Sequence, residues 1–485
     1  KKFVEANKQS GTRKGSGGVL LGEASTRNLS FIRASLGIAK MRGTVFIKAL
    51  IIVTVITSLP SKFLFYIAPL LVLTLGSFGL LPLFSPAFFW VMLIATSTIA
   101  SSSLLLNEFW GFHTNYLGLA LSPITWGAFL LLLVAYADKH QIVFTRREEK
   151  LITRFIAWYV IVESILGYTQ FLMTWNSDAV TGSFGLLDGL TGNITINQVY
   201  FTFTLFTLSF FTLAYWSDGV LYKMAVIMGL TICALAQSGH QTIIFLVLSS
   251  VLGLTVFGWQ TILRLSLAGA LLLGVVLTVY PNTFEVAKSW FERTINLQTP
   301  KAQVMYEALQ LLLENPKILL LGTGPGQFTS RASLISSGEY TRTPLPISDQ
   351  SPWFEDIVLP LMYLHSLQGE GSAISQPYSS WISLIIEWGA PVVLLYLFWS
   401  SIMVLQCLIQ TRHLYKLKNR KGAMLSAYMA FLLLFLNGNA VIENYFEFAQ
   451  ALTIPAMLVF FAKSKLAESN RETPSSLRWN SGARP

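Results

Sequence analysis

Residues 115–137 read NYLGLALSPITWGAFLLLLVAYA, an uncharged run followed at once by Asp138 and Lys139 and then by Arg146, Arg147 and Lys150. As a helix rising 1.5 Å per residue, this run is about 35 Å long, enough to cross a hydrocarbon core of roughly 30 Å. Similar runs of about 18 to 23 residues recur along the chain. Their positions predict helices at about 44–60, 63–84, 86–106, 115–137, 151–173, 196–216, 221–237, 241–258, 262–280, 381–403, 423–438 and 448–463. The fold expected is an all-α polytopic membrane protein with about twelve transmembrane helices.

Composition agrees. Of 485 residues, 53% are hydrophobic and only 12% are charged, about half the charged share of a soluble domain. The net charge of +10 does not point to nucleic acid, because the basic residues gather in the tails and two short loops. With the N-terminal tail placed inside, Lys139–Lys150, Arg412–Lys421 and the C-terminal Lys463, Lys465, Arg471 and Arg478 all fall inside as well. That is a positive-inside pattern, with both termini cytoplasmic. Cys233 and Cys407 lie in apolar runs and read as small core residues. The five histidines have no metal-ligand spacing. No cleavable secretory signal is expected, since no short apolar stretch with a small-residue cleavage site follows the basic residues 1–43.

The organisation expected is therefore a disordered cytoplasmic tail (1–43), nine helices (44–280), one large extracytoplasmic loop (281–380), three helices (381–463) and a second tail (464–485). The loop carries six basic and nine acidic residues, and loops of this length are usually functional. Helical spacing is visible at 284–295 and 300–315, where Ala308, Leu309, Leu312 and Leu313 form one apolar face. Between them and the next span lies Gly322-Thr323-Gly324-Pro325-Gly326-Gln327-Phe328. Three glycines and a proline allow a sharp turn with exposed amides that can hold an anion. A phosphate loop would need a following Lys-Ser/Thr, which is missing; the alternative is a tight turn that ends a helix.

Four features in order resemble the O-antigen ligase/polymerase family. Lys301 leads a helix through Ala308, followed by Asn315-Pro316 and Gly322–Phe328, where the family has an Arg-led helix and a Gly-rich turn ending in Phe. Tyr378-Ser379-Ser380-Trp381 precedes Glu387-Trp388-Gly389, where the family closes its loop with His-Asn/Ser and then Glu-Thr-Gly. Ser238-Gly239-His240 stands where Ser-Arg-Gly is common, and Asn197 matches an Asn opening the middle helix. The chain departs from the family by having Tyr378 in place of a His, and Lys301 and His240 in place of arginines.

The resemblance implies polymerisation, at the outer face of a bacterial inner membrane, of repeat units carried on undecaprenyl diphosphate. Transfer would be inverting and metal-independent, with no cofactor. Alternatives are a ligase of the same superfamily and a transporter linked to inorganic carbon uptake. Implied partners are the lipid-linked oligosaccharide, membrane lipid, a flippase and a chain-length regulator, with no nucleic acid. A departing diphosphate needs cations in a site shielded from water; the candidates are Lys301, Arg293, Arg331, Arg342 and His240. For each, the alternative is a solvated surface charge or, for His240, a helix cap. Gly322, Gly324, Gly326 and Asn197 complete the expected binding set. Glu387 is the expected base, since an ionisable group at membrane depth is costly; the alternative is a carboxylate that ties helices together. Tyr378 stands at the acceptor. His365 stands thirteen residues before the family's His position. Tyr340, Trp353, Trp290 and Trp381 can stack on sugars, although Trp and Tyr also gather at membrane interfaces. Glu163, in mid-helix, is expected to serve packing.

Overall fold

A computed structural model describes residues 43–472 apart from 60–63, 82, 110–112, 139–141, 192–196, 237–238, 254–273, 275–277, 279–280, 282, 339–349 and 363–378. Expectations for residues 1–42 and 473–485, for most of the run at 262–280 and for Tyr340, Arg342, His365 and Tyr378 lie outside the described residues.

Every regular element among the described residues is helical. The first group is α1 (Gly43–Ser58), α2 (Leu64–Ser77) and α3 (Pro86–Phe109). Then come α4 (Tyr116–Thr125), α5 (Gly127–Ala137) and α6 (Arg146–Thr174). They are followed by α7 (Leu186–Thr191), α8 (Asn197–Leu213), α9 (Val220–Leu235) and α10 (Gly239–Leu252). In the long loop lie α11 (Thr283–Ile295), α12 (Pro300–Glu314), α13 (Pro316–Leu321) and α14 (Arg331–Ser336). The last group is α15 (Ser380–Trp388), α16 (Ala390–Lys416), α17 (Arg420–Asn439) and α18 (Ala449–Glu472). Of these, α6, α16 and α17 are each long and apolar enough to cross a membrane, and α4 with α5 makes a fourth if the bent pair is one span.

Two runs expected as single helices are broken. The run at 115–137 bends by 44° between α4 and α5. Pro123 inside α4 removes one backbone donor and crowds the preceding turn. The run at 381–403 breaks at Gly389, whose φ of 81° ends α15 before Ala390-Pro391 starts α16. The C-terminal tail, expected to be irregular from 464, stays helical to Glu472. There Lys465 pairs with Glu149 at 3.0 Å and with Glu468, and the Lys463 ammonium donates to the carbonyls of Ala135, Tyr136 and Asp138 at the end of α5.

The core forms around α18 and α8. Residues 443–462 are all buried, and α18 packs on α2, α5, α8 and α17. On α8, residues 198–212 are likewise buried on every side. A helix apolar all round must lie inside its bundle, and layers such as Phe203 on Phe435 and Phe210 on Phe431 fill it. Cys233 and Cys407 are buried and unbridged. Glu163 accepts from the Ser183 amide at 2.9 Å and its hydroxyl at 2.6 Å, while Gln170 holds Thr181 and Gly182. The connection after α6 therefore folds back along that helix instead of leaving it.

The bundle has two chemically distinct ends. At one, Lys421 meets Glu149 and Asp218, Lys465 meets Glu149, and Thr145 and Glu148 form a capping box at the start of α6. At the other lie the start of α8, the turn 440–448 and the segment 300–336. Between Lys421 and Asn439, α17 runs about 27 Å.

Candidate functional site

Thr299 caps α12, its hydroxyl accepting from the Ala302 amide at 3.3 Å, and Pro300 fixes the first turn. Lys301 is thereby turned inward, almost wholly buried, and its Nζ lies 3.1 Å from Glu443 Oε1. Glu443 is held in the turn after α17 because its carbonyl accepts from the Ser380 amide and hydroxyl at 3.3 and 3.1 Å. Its other carboxylate oxygen accepts from Tyr200 Oη at 3.4 Å.

Arg331 joins from the opposite side. Its Nη2 donates to Tyr200 Oη at 2.8 Å, and its guanidinium stands 4.8 Å from the Phe448 ring centroid and 5.5 Å from that of Tyr200. His240, at the start of α10, is close enough to Lys301 to feel its charge. Its Nε2 is buried with no hydrogen-bond partner. Lys301, Glu443, Tyr200 and Arg331 thus form one buried polar cluster, with the half-buried His240 near Lys301. Burial pushes the Lys301 pKa down while Glu443 pulls it back up. Burial pushes Glu443 up against the pull of Lys301 and Arg331. Charges this deep survive only paired.

The Gly-rich turn lies beside this cluster, and its amides are already used. Gly322 accepts a positive φ of 73° to end α13. The amides of Thr323 and Gly324 then donate to the carbonyls of Ile386 and Glu387 at 2.7 and 3.0 Å. The Glu387 carboxylate accepts from Gly326 at 2.7 Å, Phe328 at 2.9 Å and Ser330 at 3.2 Å. The turn does hold an anion, and the anion is the protein's own. This corrects two expectations: Gly322, Gly324 and Gly326 present no spare donors to a ligand, and Glu387 is a clamp between α15 and the turn instead of an available base. The space is equally committed, since a Cβ on Gly326 would stand 2.3 Å from the Gly118 carbonyl in α4.

A second buried carboxylate, Glu447, accepts from the Arg331 amide at 2.9 Å and lies 3.1 Å from Thr125 Oγ1. Burial, and then the negative charge of Glu387, push its pKa up to about 8. The geometry suits a protonated acid: its O–H can donate to Thr125 Oγ1, whose own proton goes to the Ser122 carbonyl at 3.2 Å. Glu387, ringed by donors, is the ionised member of the two.

Arg293 lies in the last turn of α11, half-buried. Asn197 opens α8 and donates to the Phe184 carbonyl at 3.4 Å. Trp353 packs against a small core formed by Val304, Phe328 and Phe354. Trp381 donates to the Asn437 carbonyl at 2.9 Å and packs its ring on Tyr396 and Phe446. Trp290 is in α11, with its side chain outside the described residues. Glu443, Glu447 and Tyr200 were not anticipated. The two glutamates did carry a signal, being acids in a short connection between apolar runs. Tyr200 sits within an apolar run and carried none.

The fold and site define an all-helical protein with helices able to cross a membrane and a buried cation–carboxylate cluster at one end. Comparison with family models, with curated proteins and with solved structures finds no match.

Proposed function

We propose that this protein is a polytopic glycosyltransferase of a bacterial inner membrane that polymerises oligosaccharide units carried on undecaprenyl diphosphate. The observation that carries this is the convergence of two cations, Lys301 and Arg331, from separate parts of the chain, on one buried site that Glu443 and Tyr200 join, with His240 near Lys301. The site lies at the end of the bundle remote from Lys421 and Lys465. The length of α17 between Lys421 and Asn439, about 27 Å, is close to a hydrocarbon thickness. With the lysine-rich end inside, as the positive-inside rule requires, the cluster falls at the level of the outer headgroups, where a lipid diphosphate travels. The helices α1, α2, α3, α8, α9, α10 and α18, with the run at 262–280, would bring the four spans of α4 with α5, α6, α16 and α17 to about twelve and leave both termini cytoplasmic.

In this proposal Glu443 keeps the Lys301 charge in place until a phosphate replaces it. The bond between the sugar anomeric carbon and the phosphate oxygen breaks as the acceptor hydroxyl attacks the opposite face. Lys301 and Arg331 take up the charge of the departing diphosphate in a medium where it counts strongly. The hydroxyl proton passes to the Glu443 carboxylate, which burial pushes toward its protonated form and which Lys301 releases as it turns to the phosphate. Glu387 and the Gly322–Phe328 turn hold Arg331 in register.

The test is glycan analysis in a strain whose own copy is deleted. Loss of the protein should leave single repeat units attached to their acceptor; full-length polymer left unattached would instead indicate a ligase. Lys301→Ala should abolish polymer with the protein still in the membrane, and Lys301→Arg should restore part of it. Wild-type polymer lengths in Lys301→Ala would overturn the proposal.

A further inference from the structure

The outer surface of α12 is divided in a way that one solvent does not explain. Its inner face, including Val304, Ala308 and Leu312, is buried. Of the remainder, Leu309 and Leu313 form an apolar stripe, 56% and 73% exposed. Glu307 and Glu314 form a polar stripe on the other flank of the outer surface, also exposed, with Tyr306 and Gln310 between the two. A helix on a core in water needs two faces. A third, apolar face marks a helix lying at a boundary between water and hydrocarbon. The chain then turns at Asn315-Pro316 into α13, where Leu320 is 60% exposed.

The depth of this turn can be read from its neighbour. The Leu320 carbonyl packs on Gly389, so closely that a Cβ there would stand 2.7 Å from it. Gly389 heads α16, whose first charged residue is Arg412. Counting back from Arg412 by about 20 residues, or roughly 30 Å, reaches Val392. Leu320 therefore stands within about one helical turn of the far hydrocarbon boundary. In the first turns of α16, next to it, Leu394 and Leu395 are 65% and 67% exposed as well.

We infer that the Leu309–Leu313 stripe of α12 and the Leu320 turn of α13 are seated in the bilayer leaflet at the cluster end, against lipid acyl chains. The segment 300–321 is then a membrane-embedded hairpin that carries Lys301 at its root, and not a soluble excursion. This holds whether or not the protein transfers sugars.

The experiment uses the full chain in phosphatidylcholine vesicles, with Cys233 and Cys407 replaced by Ala and an environment-sensitive fluorophore on single cysteines. Labels at Leu313→Cys and Leu320→Cys should emit to the blue. They should lose most of their intensity to lipids carrying a nitroxide high on the acyl chain, and be little affected by iodide on both sides. Labels at Glu307→Cys and Glu314→Cys should respond mainly to iodide. Leu309→Cys replaces either apolar-stripe variant if it fails to fold. Iodide quenching at Leu313 and Leu320 equal to that at Glu314 would overturn the inference. So would protection from both quenchers, which would mean that a second copy or another protein covers the stripe.

Discussion

Two carboxylates that look alike in the sequence should respond in opposite ways to the same substitution. Glu387→Gln removes the charge that gathers the turn 326–330. A glutamine that keeps its oxygen toward the amides of Phe328 and Ser330 must aim its NH2 at the Gly326 amide, 2.7 Å from the present oxygen. An N–H left without an acceptor costs about 1–3 kcal/mol, and each of the other two bonds loses about 1 kcal/mol with the charge. Release from burying a carboxylate offsets part of this, leaving a net loss of about 3 kcal/mol. Glu447→Gln copies the neutral acid: its NH2 donates to Thr125 and its oxygen accepts from Arg331, so its cost should stay under about 1 kcal/mol. The pH dependence separates them further. The pKa of Glu447 rises on folding from 4.5 to about 8, so the folded state holds a proton that the unfolded chain has released. This contribution is complete below about pH 4.5 and is lost as pH rises to about 8, by at most about 5 kcal/mol. Unfolding of the purified protein in mixed micelles, titrated with dodecyl sulfate and followed by tryptophan fluorescence at about pH 5 and about pH 8, reads both effects. Equal losses in the two variants, or an unchanged pH slope in Glu447→Gln, would refute the assignment of charge and proton.

Lys301→Met should cost about 3–5 kcal/mol because it strands Glu443 in the interior, and adding Glu443→Gln should recover most of that loss. A double variant as unstable as the sum of the two singles would show that the pair is not coupled. Gly326→Ala should be far worse than Gly79→Ala in the same unfolding assay. Both have positive φ, 80° and 70°, but only Gly326 also faces a backbone carbonyl, while Gly79 has nothing within 4 Å. Gly79→Ala should cost about 1 kcal/mol; a similar value for Gly326→Ala would mean that the turn can move away from α4.

The helical character was legible because a membrane imposes length and hydropathy on each segment. The break at Gly389 is harder to see, since Glu387-Trp388-Gly389 lowers the average hydropathy of the run too little to divide it. Lys301, Arg331 and His240 are legible as candidate cations of the long loop and of the helix end before it, and the meeting of Lys301 with Arg331 depends on tertiary packing that no local pattern encodes. The glycines of the turn allow either a site for an anion or a tight turn that ends a helix; the turn ends α13, and its amides take a carboxylate from a position some sixty residues later. Periodicity reports on neighbours along one element, so a clamp of that kind stays invisible. Glu443 and Glu447 were overlooked because a short connection between helices reads as ordinary solvent-facing chain.

The position of α18 bears on how the molecule is made. The last of the described helices is also the innermost, touching α2, α5, α8 and α17. Elements released earlier from the ribosome must wait, with their mating surfaces unfilled, until this stave arrives. Lys463 then stoppers the end of α5. Frameshifts or stop codons just before residue 449 should therefore destroy the whole assembly and send it to quality-control proteolysis, instead of trimming a dispensable edge.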